Sequence, residues 1–112
     1  MYRISINKRA IKNIINNNKK IEGRLLKGIF SKVNIGDIFT FYNDDDSCDV
    51  KIVKINCYNN FYEMLYNENL KNLLPYCSNI NEALNLYKKI YKKNMNKYKV
   101  LAIHFNILNP TT

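Results

Sequence analysis

Apolar and polar residues alternate in "YRISI", where Tyr2, Ile4 and Ile6 fall on one side, the period of a short half-buried strand. The period then lengthens. Ala10, Ile11, Ile14 and Ile15 recur three and four apart between Lys8 and Asn16, with Lys8, Arg9, Lys12 and Asn13 opposite them, which predicts an amphipathic helix. Asn16, Asn17 and Asn18 end it, because asparagine tolerates the left-handed conformation that closes helices. "KKIEGRLL" returns to a period of two: Ile21 and Leu25 share one face, and Lys20, Glu22 and Arg24 share the other. "NIGD" at Asn34 to Asp37 reads as a turn, and "DIFTFY" and "DVKIVKINCY" as strands separated by the acidic loop Asp44 to Asp46. In the last of these the apolar phase changes between Ile52 and Val53, which predicts a bulge or a strand covered on both faces.

Helical spacing resumes in "NNFYEMLYNENLKNLLP", where Phe61, Met64, Leu65 and Glu68 predict one helix that Pro75 stops after Leu74. In "NINEALNLYKKIYKK", Asn79 and Glu82 have capping-box spacing, and the apolar stripe is Ile80, Ala83, Leu84, Tyr87, Ile90 and Tyr91. The final strand, "KVLAIHFNIL", sends Leu101, Ile103, Phe105 and Ile107 to one face and Ala102, His104 and Asn106 to the other. Strand, helix, strands, two helices, strand is an α+β order. It suits a small barrel or strongly bent sheet of about five to six strands, with helices after the first strand and between the penultimate and last strands.

At 112 residues, with 46% hydrophobic and 12% aromatic content, residues 1–112 are expected to form a single domain with one small core. The run "VLAI" is too short to span a bilayer and "MYRISINKRA" lacks the apolar core of a signal peptide, so an intracellular protein, in cytoplasm or nucleus, with no membrane partner is expected. Cys48, Cys57 and Cys77 are an odd, widely spaced set, which argues for reduced thiols rather than a disulfide framework. With a single histidine, His104, no metal site is expected, and nothing in the sequence calls for a cofactor. Glycine occurs only at 23, 28 and 36, which leaves no phosphate-binding P-loop.

Eighteen Lys and Arg against nine Asp and Glu give a formal charge of +9, which favours a polyanionic partner, nucleic acid ahead of anionic membrane. The same lysines would follow from an AT-rich coding bias, visible in the abundance of Asn, Lys, Ile and Tyr. The concentrated feature is Lys19, Lys20, Glu22 and Arg24, three cations around one carboxylate. Arg24 can grip a phosphate with a planar fork, Lys19 or Lys20 can add a point charge, and Glu22 can accept hydrogen bonds from a base or ribose. Glu22 and Arg24 stand about 7 Å apart along one strand face and can equally pair with each other, pinning the strand. Tyr58, Tyr62 and Tyr91 are possible stacking platforms, though Tyr87 and Tyr91 lie at the spacing of core residues. Lys88, Lys89, Lys92 and Lys93 read most simply as a solvated face.

Lys19, Glu22 and Arg24 match the pattern G-x-K-x-x-E-x-R that follows the first helix in ASCH domains, members of the PUA-like superfamily, with Asn17 where the glycine usually stands. "IGDIFTF", "YNNFYEML", "LLP", "NEALNLYKKIY" and "KVLAIHFNI" also resemble that family's segments, so the resemblance covers nearly the whole chain. It implies a PUA-like β-barrel whose helices border a basic cleft that recognises single-stranded RNA or a modified nucleotide, with Lys19, Lys20, Glu22, Arg24, Tyr58 and His104 as the binding residues. An enzyme, either a ribonuclease or an amidohydrolase on an acylated nucleoside, is the competing expectation, with Lys19 and Glu22 as its candidate catalytic residues. Amidohydrolases similar to the family use a Lys, a Thr and a Glu. Glu22 occupies the threonine's position, which removes the hydroxyl nucleophile. A protein-interaction module in transcriptional coactivation is a third reading, and the sequence leaves the oligomeric state open.

Overall fold

The computed structural model describes residues 1–108. In chain order these form β1 (Tyr2–Ser5), α1 (Lys8–Ile15), β2 (Ile21–Leu25), β3 (Ile38–Tyr42), β4 (Ser47–Tyr58), α2 (Phe61–Asn67), α3 (Leu70–Leu73), α4 (Ile80–Tyr91) and β5 (Val100–Ile107), with short 3-10 turns at Gly28–Ser31 and Lys92–Asn94. The fold is α+β: one five-stranded sheet, order β1-β3-β4-β5-β2, curled into a half-barrel and accompanied by four helices. β1 runs parallel to β3, and the other neighbours are antiparallel. No helix among the described residues is long and apolar enough to cross a membrane.

Sheet curvature originates in β4, whose twelve residues serve both β3 and β5. Its register against β5 slips between Ile52 and Lys54, where the apolar phase of the sequence changes. Before the slip Cys48, Val50 and Ile52 point inward; after it the inward residue is Ile55, and Val53 is left exposed. An extra residue on one strand bends that strand and increases its twist, which is what a sheet needs to close on itself.

Two apolar clusters flank the sheet. One packs Ala10, Ile11 and Ile14 of α1 against Phe39, Phe41, Val50 and Ile52. The other packs Phe61, Met64 and Leu65 of α2, Leu73 of α3, and Ala83 and Tyr87 of α4 against Ile21 and Leu25. β5 serves both: Leu101, Ile103 and Phe105 face the first cluster, and Val100 and Ala102 the second. Both faces of β5 are core from Val100 to Ile103, beyond which His104 is half-buried and Asn106 exposed, so the expected division of faces holds and its smaller side is core only at the start of the strand.

Each helix starts on an asparagine whose side chain accepts an amide hydrogen of the first turn: Asn7 from Ala10, Asn60 from Glu63, Asn69 from Asn72 and Asn79 from Glu82. In the last case the Glu82 carboxylate accepts from the Ser78 N–H, one residue before the expected partner. The single helix expected from Phe61 to Leu74 is instead two. Glu68 leaves the helix with φ −99° and ψ 161°, and Asn69 caps a new one. The break has a cause: Glu68 is drawn to partners on the sheet.

Candidate functional site

β1 and β2 are the two edges of the curled sheet, and a cavity of about 300 Å3 lies where they approach each other. Ser5, Ile6 and Asn7 line it from the end of β1, Glu22, Gly23 and Arg24 from β2, and Leu86, Tyr87, Ile90 and Tyr91 from α4. The helical turn of α1 ends in Asn17, whose φ of 62° reverses the chain and delivers Lys19 to the cavity floor. Left-handed backbone is open to glycine and tolerated by asparagine.

Lys19 is 1% exposed. Its ammonium donates to the Ile21 carbonyl at 2.8 Å and to the Leu73 carbonyl, and stands 3.2 Å from Glu22 Oε1. Three acceptors match its three hydrogens, so the group has none left for a ligand. One of them, the Leu73 carbonyl, belongs to the unpaired end of α3, which Lys19 thereby caps. Glu22, 8% exposed, accepts from Arg24 Nε at Oε2, 2.8 Å away. Burial alone would raise the Glu22 carboxyl, but the Lys19 and Arg24 charges and their hydrogen bonds more than offset it and hold it below the ordinary carboxylate range. Burial pushes the Lys19 ammonium down against the opposing pull of Glu22. Glu22 thus pairs with Arg24 as well as with Lys19, and two basic side chains share one carboxylate. Among the described residues the two Nη groups of Arg24 have no hydrogen-bond partner, and they are the donors that remain.

Aromatic rings form one wall. Phe61 stacks on Tyr87 with centroids 4.1 Å apart and on Tyr91 at 5.2 Å. Tyr87 is 3% exposed, and its hydroxyl is buried without a partner. A Cβ on Gly23 would lie 2.8 Å from that hydroxyl and 2.8 Å from Met64 Cε, so glycine is what lets ring and strand approach. Arg9 lies over the Tyr76 ring at 3.8 Å, and Tyr76, on the same cavity, has its hydroxyl pushed up to about 12 by burial and by the Glu22 charge.

Three of the six binding residues expected from the sequence do not join this cavity, and neither does Tyr62, which is exposed. Lys20 is exposed and does not line it; its N–H bonds the Asn72 carbonyl just ahead of β2. Tyr58 and His104 meet elsewhere on the sheet, around Glu68. There His104 Nε2 lies 2.8 Å from Glu68 Oε1, while Tyr58 Oη, at 2.5 Å, and Asn56 Nδ2, at 2.8 Å, donate to Oε2. Burial, with the hydrogen bond to Glu68, pushes the Tyr58 hydroxyl up to about 12. Burial tends to raise Glu68, but its three partners carry it below the usual range.

The chain is similar to solved structures, among them the following two. The crystal structure of hypothetical protein PH0355 matches with a TM-score of 0.87 and 31% identity, over 96% of this chain and 98% of that one. The solution NMR structure of protein PF0455 from Pyrococcus furiosus matches with a TM-score of 0.78 and 32% identity, over the same shares. The chain belongs to the family of these two proteins. No protein-family model matches it, and a search of curated proteins gives no match.

Sequence reasoning missed Gly23, Tyr76 and Glu68 and placed Tyr87 only in the core. Gly23 carried a signal, since a glycine inside a strand often marks a close approach. Glu68 and Tyr76 carried none: their partners come from elements remote in sequence.

Proposed function

We propose that this chain is an ASCH-like RNA-binding domain that seats a nucleotide of single-stranded RNA in the cavity between β1 and β2. The observation that carries this reading is the buried Lys19–Glu22–Arg24 chain, which sets two basic side chains against one carboxylate at a ligand-sized cavity and leaves the Arg24 Nη groups without a hydrogen-bond partner among the described residues. Asn17 supports the resemblance, because it adopts the left-handed backbone that explains a glycine at that place in the ASCH pattern. The formal charge of +9 supplies the long-range attraction that a polyanion requires.

A binding role fits the triad better than catalysis. Lys19 has no hydrogen to give, and both Glu22 oxygens are engaged by cations that keep the carboxylate ionised and weakly basic. A general base works best with a pKa near the operating pH, and Glu22 is moved away from it.

Filter binding of a short single-stranded RNA at two salt concentrations tests the reading. Affinity should fall steeply with salt, and Arg24→Ala should weaken it about 10-fold or more, as loss of a charge-assisted fork does. Salt-indifferent binding, or an Arg24→Ala variant that binds like wild type, overturns it. Turnover of acetylated cytidine or RNA that disappears in Glu22→Gln would make the chain an enzyme instead.

A further inference from the structure

Arg24 borders a second cavity of about 220 Å3, whose walls also include Lys27, Phe30, Tyr91 and Asn94. The two cavities share Arg24 and Tyr91, and their chemistry differs. The smaller holds two cations, Arg24 and Lys27, and no carboxylate. In the larger, an anion would meet Glu22, and the walls are mainly the apolar surfaces of Ile6, Ala10, Leu74, Leu86 and Ile90.

Two groups of the larger cavity's wall have hydrogen-bonding capacity to spare. Tyr87 lines that cavity, and its hydroxyl, unpartnered and closed to solvent in the ligand-free chain, abuts Gly23. Burial raises Tyr87 well above an ordinary tyrosine, so it stays a neutral O–H, able to donate and accept. Gly23 contributes backbone. Outside β2, the Phe105 N–H donates to the Lys20 carbonyl and the Leu26 N–H to the Lys99 carbonyl, which sets the ladder's phase. In an antiparallel ladder, bonded and non-bonded pairs alternate, so the even-numbered residues of β2 bond to β5 and the N–H and C=O of Gly23 turn to the open edge. Donor and acceptor side by side, next to a hydroxyl, match the edge of a nucleobase.

We infer that one nucleotide lies across both cavities, its base edge on the open edge of Gly23 and on the Tyr87 hydroxyl, which the ring turns toward the cavity as the base enters, its phosphate on the Arg24 fork and Lys27. This rests on the RNA-binding reading and adds where base and phosphate go. Arg24, fixed by Glu22 through Nε, sits at the junction and presents its Nη atoms to the phosphate. Tyr87 and Gly23 set base preference, and Lys27 supplies charge without sequence information.

Titration calorimetry with nucleosides, their monophosphates, inorganic phosphate and a short single-stranded RNA, against wild type, Tyr87→Phe and Lys27→Ala, tests the placement. Monophosphates should bind more tightly than nucleosides, and Lys27→Ala should remove most of that gain without changing nucleoside affinity. Tyr87→Phe should weaken nucleoside and monophosphate alike by about tenfold, the worth of a buried hydrogen bond. The ligand-free Tyr87→Phe protein should melt no lower than wild type, because the lost hydroxyl had no partner; this separates ligand recognition from a structural role. If RNA binds in an Arg24-dependent way while Tyr87→Phe and Lys27→Ala behave as wild type, the two-cavity placement is wrong and the RNA-binding reading stands. Inorganic phosphate binding as tightly as the monophosphates also overturns the placement. If neither RNA nor nucleotide binds, both fail.

Discussion

Two carboxylates, Glu22 and Glu68, each organise a polar cluster against the sheet, and the clusters differ in what they leave over. Glu68, with a side chain 6% exposed, receives Tyr58, Asn56 and His104, and its partners carry at most one positive charge. It ties the end of α2 to β4 and β5 and forces the helix break that separates α3. Glu22 receives two basic side chains, and one of them, Arg24, lines a cavity with its Nη groups unpaired among the described residues and its guanidinium over the Phe30 ring. Both Glu68 oxygens are engaged by donors from the sheet, whereas the Glu22 cluster keeps the Arg24 Nη groups unpaired among the described residues, and the proposed binding role rests on that surplus. A buried polar network that satisfies every member contributes rigidity; unused donors beside a cavity are available to water or to a ligand.

The sharpest break in that contrast is expected at Lys19. Lys19→Met should cost about 3–5 kcal/mol in urea unfolding, because it removes one member of a buried ion pair and uncaps α3. A loss under about 1 kcal/mol would mean that Lys19 does not anchor α3 and β2. Next in size is Glu68→Gln, expected to cost about 1–3 kcal/mol through weakened hydrogen bonds, with RNA affinity unchanged. If it weakened RNA binding as strongly as Arg24→Ala, the two clusters would belong to one site.

Acid should sharpen the comparison. Both carboxyls have folded pKa values below the ordinary range, so their stabilisation is fully present above the unfolded value of about 4.3 and is lost as pH falls through the folded values. The stability profile should drop below about pH 4, and the drop should be shallower in Glu22→Gln and in Glu68→Gln than in wild type. Equal slopes in all three proteins would contradict the assigned charges. The smallest effect is Arg24→Lys, which should change stability by about 0–1 kcal/mol, since it keeps the charge, yet lose the forked contact and with it RNA affinity.

Local order was legible in the chain. The three- and four-residue recurrence of Ala10, Ile11 and Ile14 gave α1, and alternation placed Ile21 and Leu25 opposite Glu22 and Arg24. The phase change after Ile52 located the bulge that bends β4. Such patterns survive in sequence because each element must present one face to a core. The triad could be named for the same reason: its members lie within six residues, and one helix-closing turn and one strand suffice to gather them.

Partners from distant segments decided the rest. Nothing local to Lys19 announces that its ammonium caps a carbonyl 54 residues away, and lysine composition argues for the surface instead. Glu68 stood at helical spacing, yet Asn56, Tyr58 and His104 draw it out of the helix, a tertiary interaction overriding a local preference. Tyr87 had the periodicity of a core residue and is one; whether its hydroxyl ends on a neighbour or in a cavity depends on how far the curl of the sheet brings β1 and β2 together. Sequence by itself fixed which side chains share a face, since that follows from backbone periodicity. Only the packed fold decided which faces meet, which donors are consumed there, and which are left unpaired.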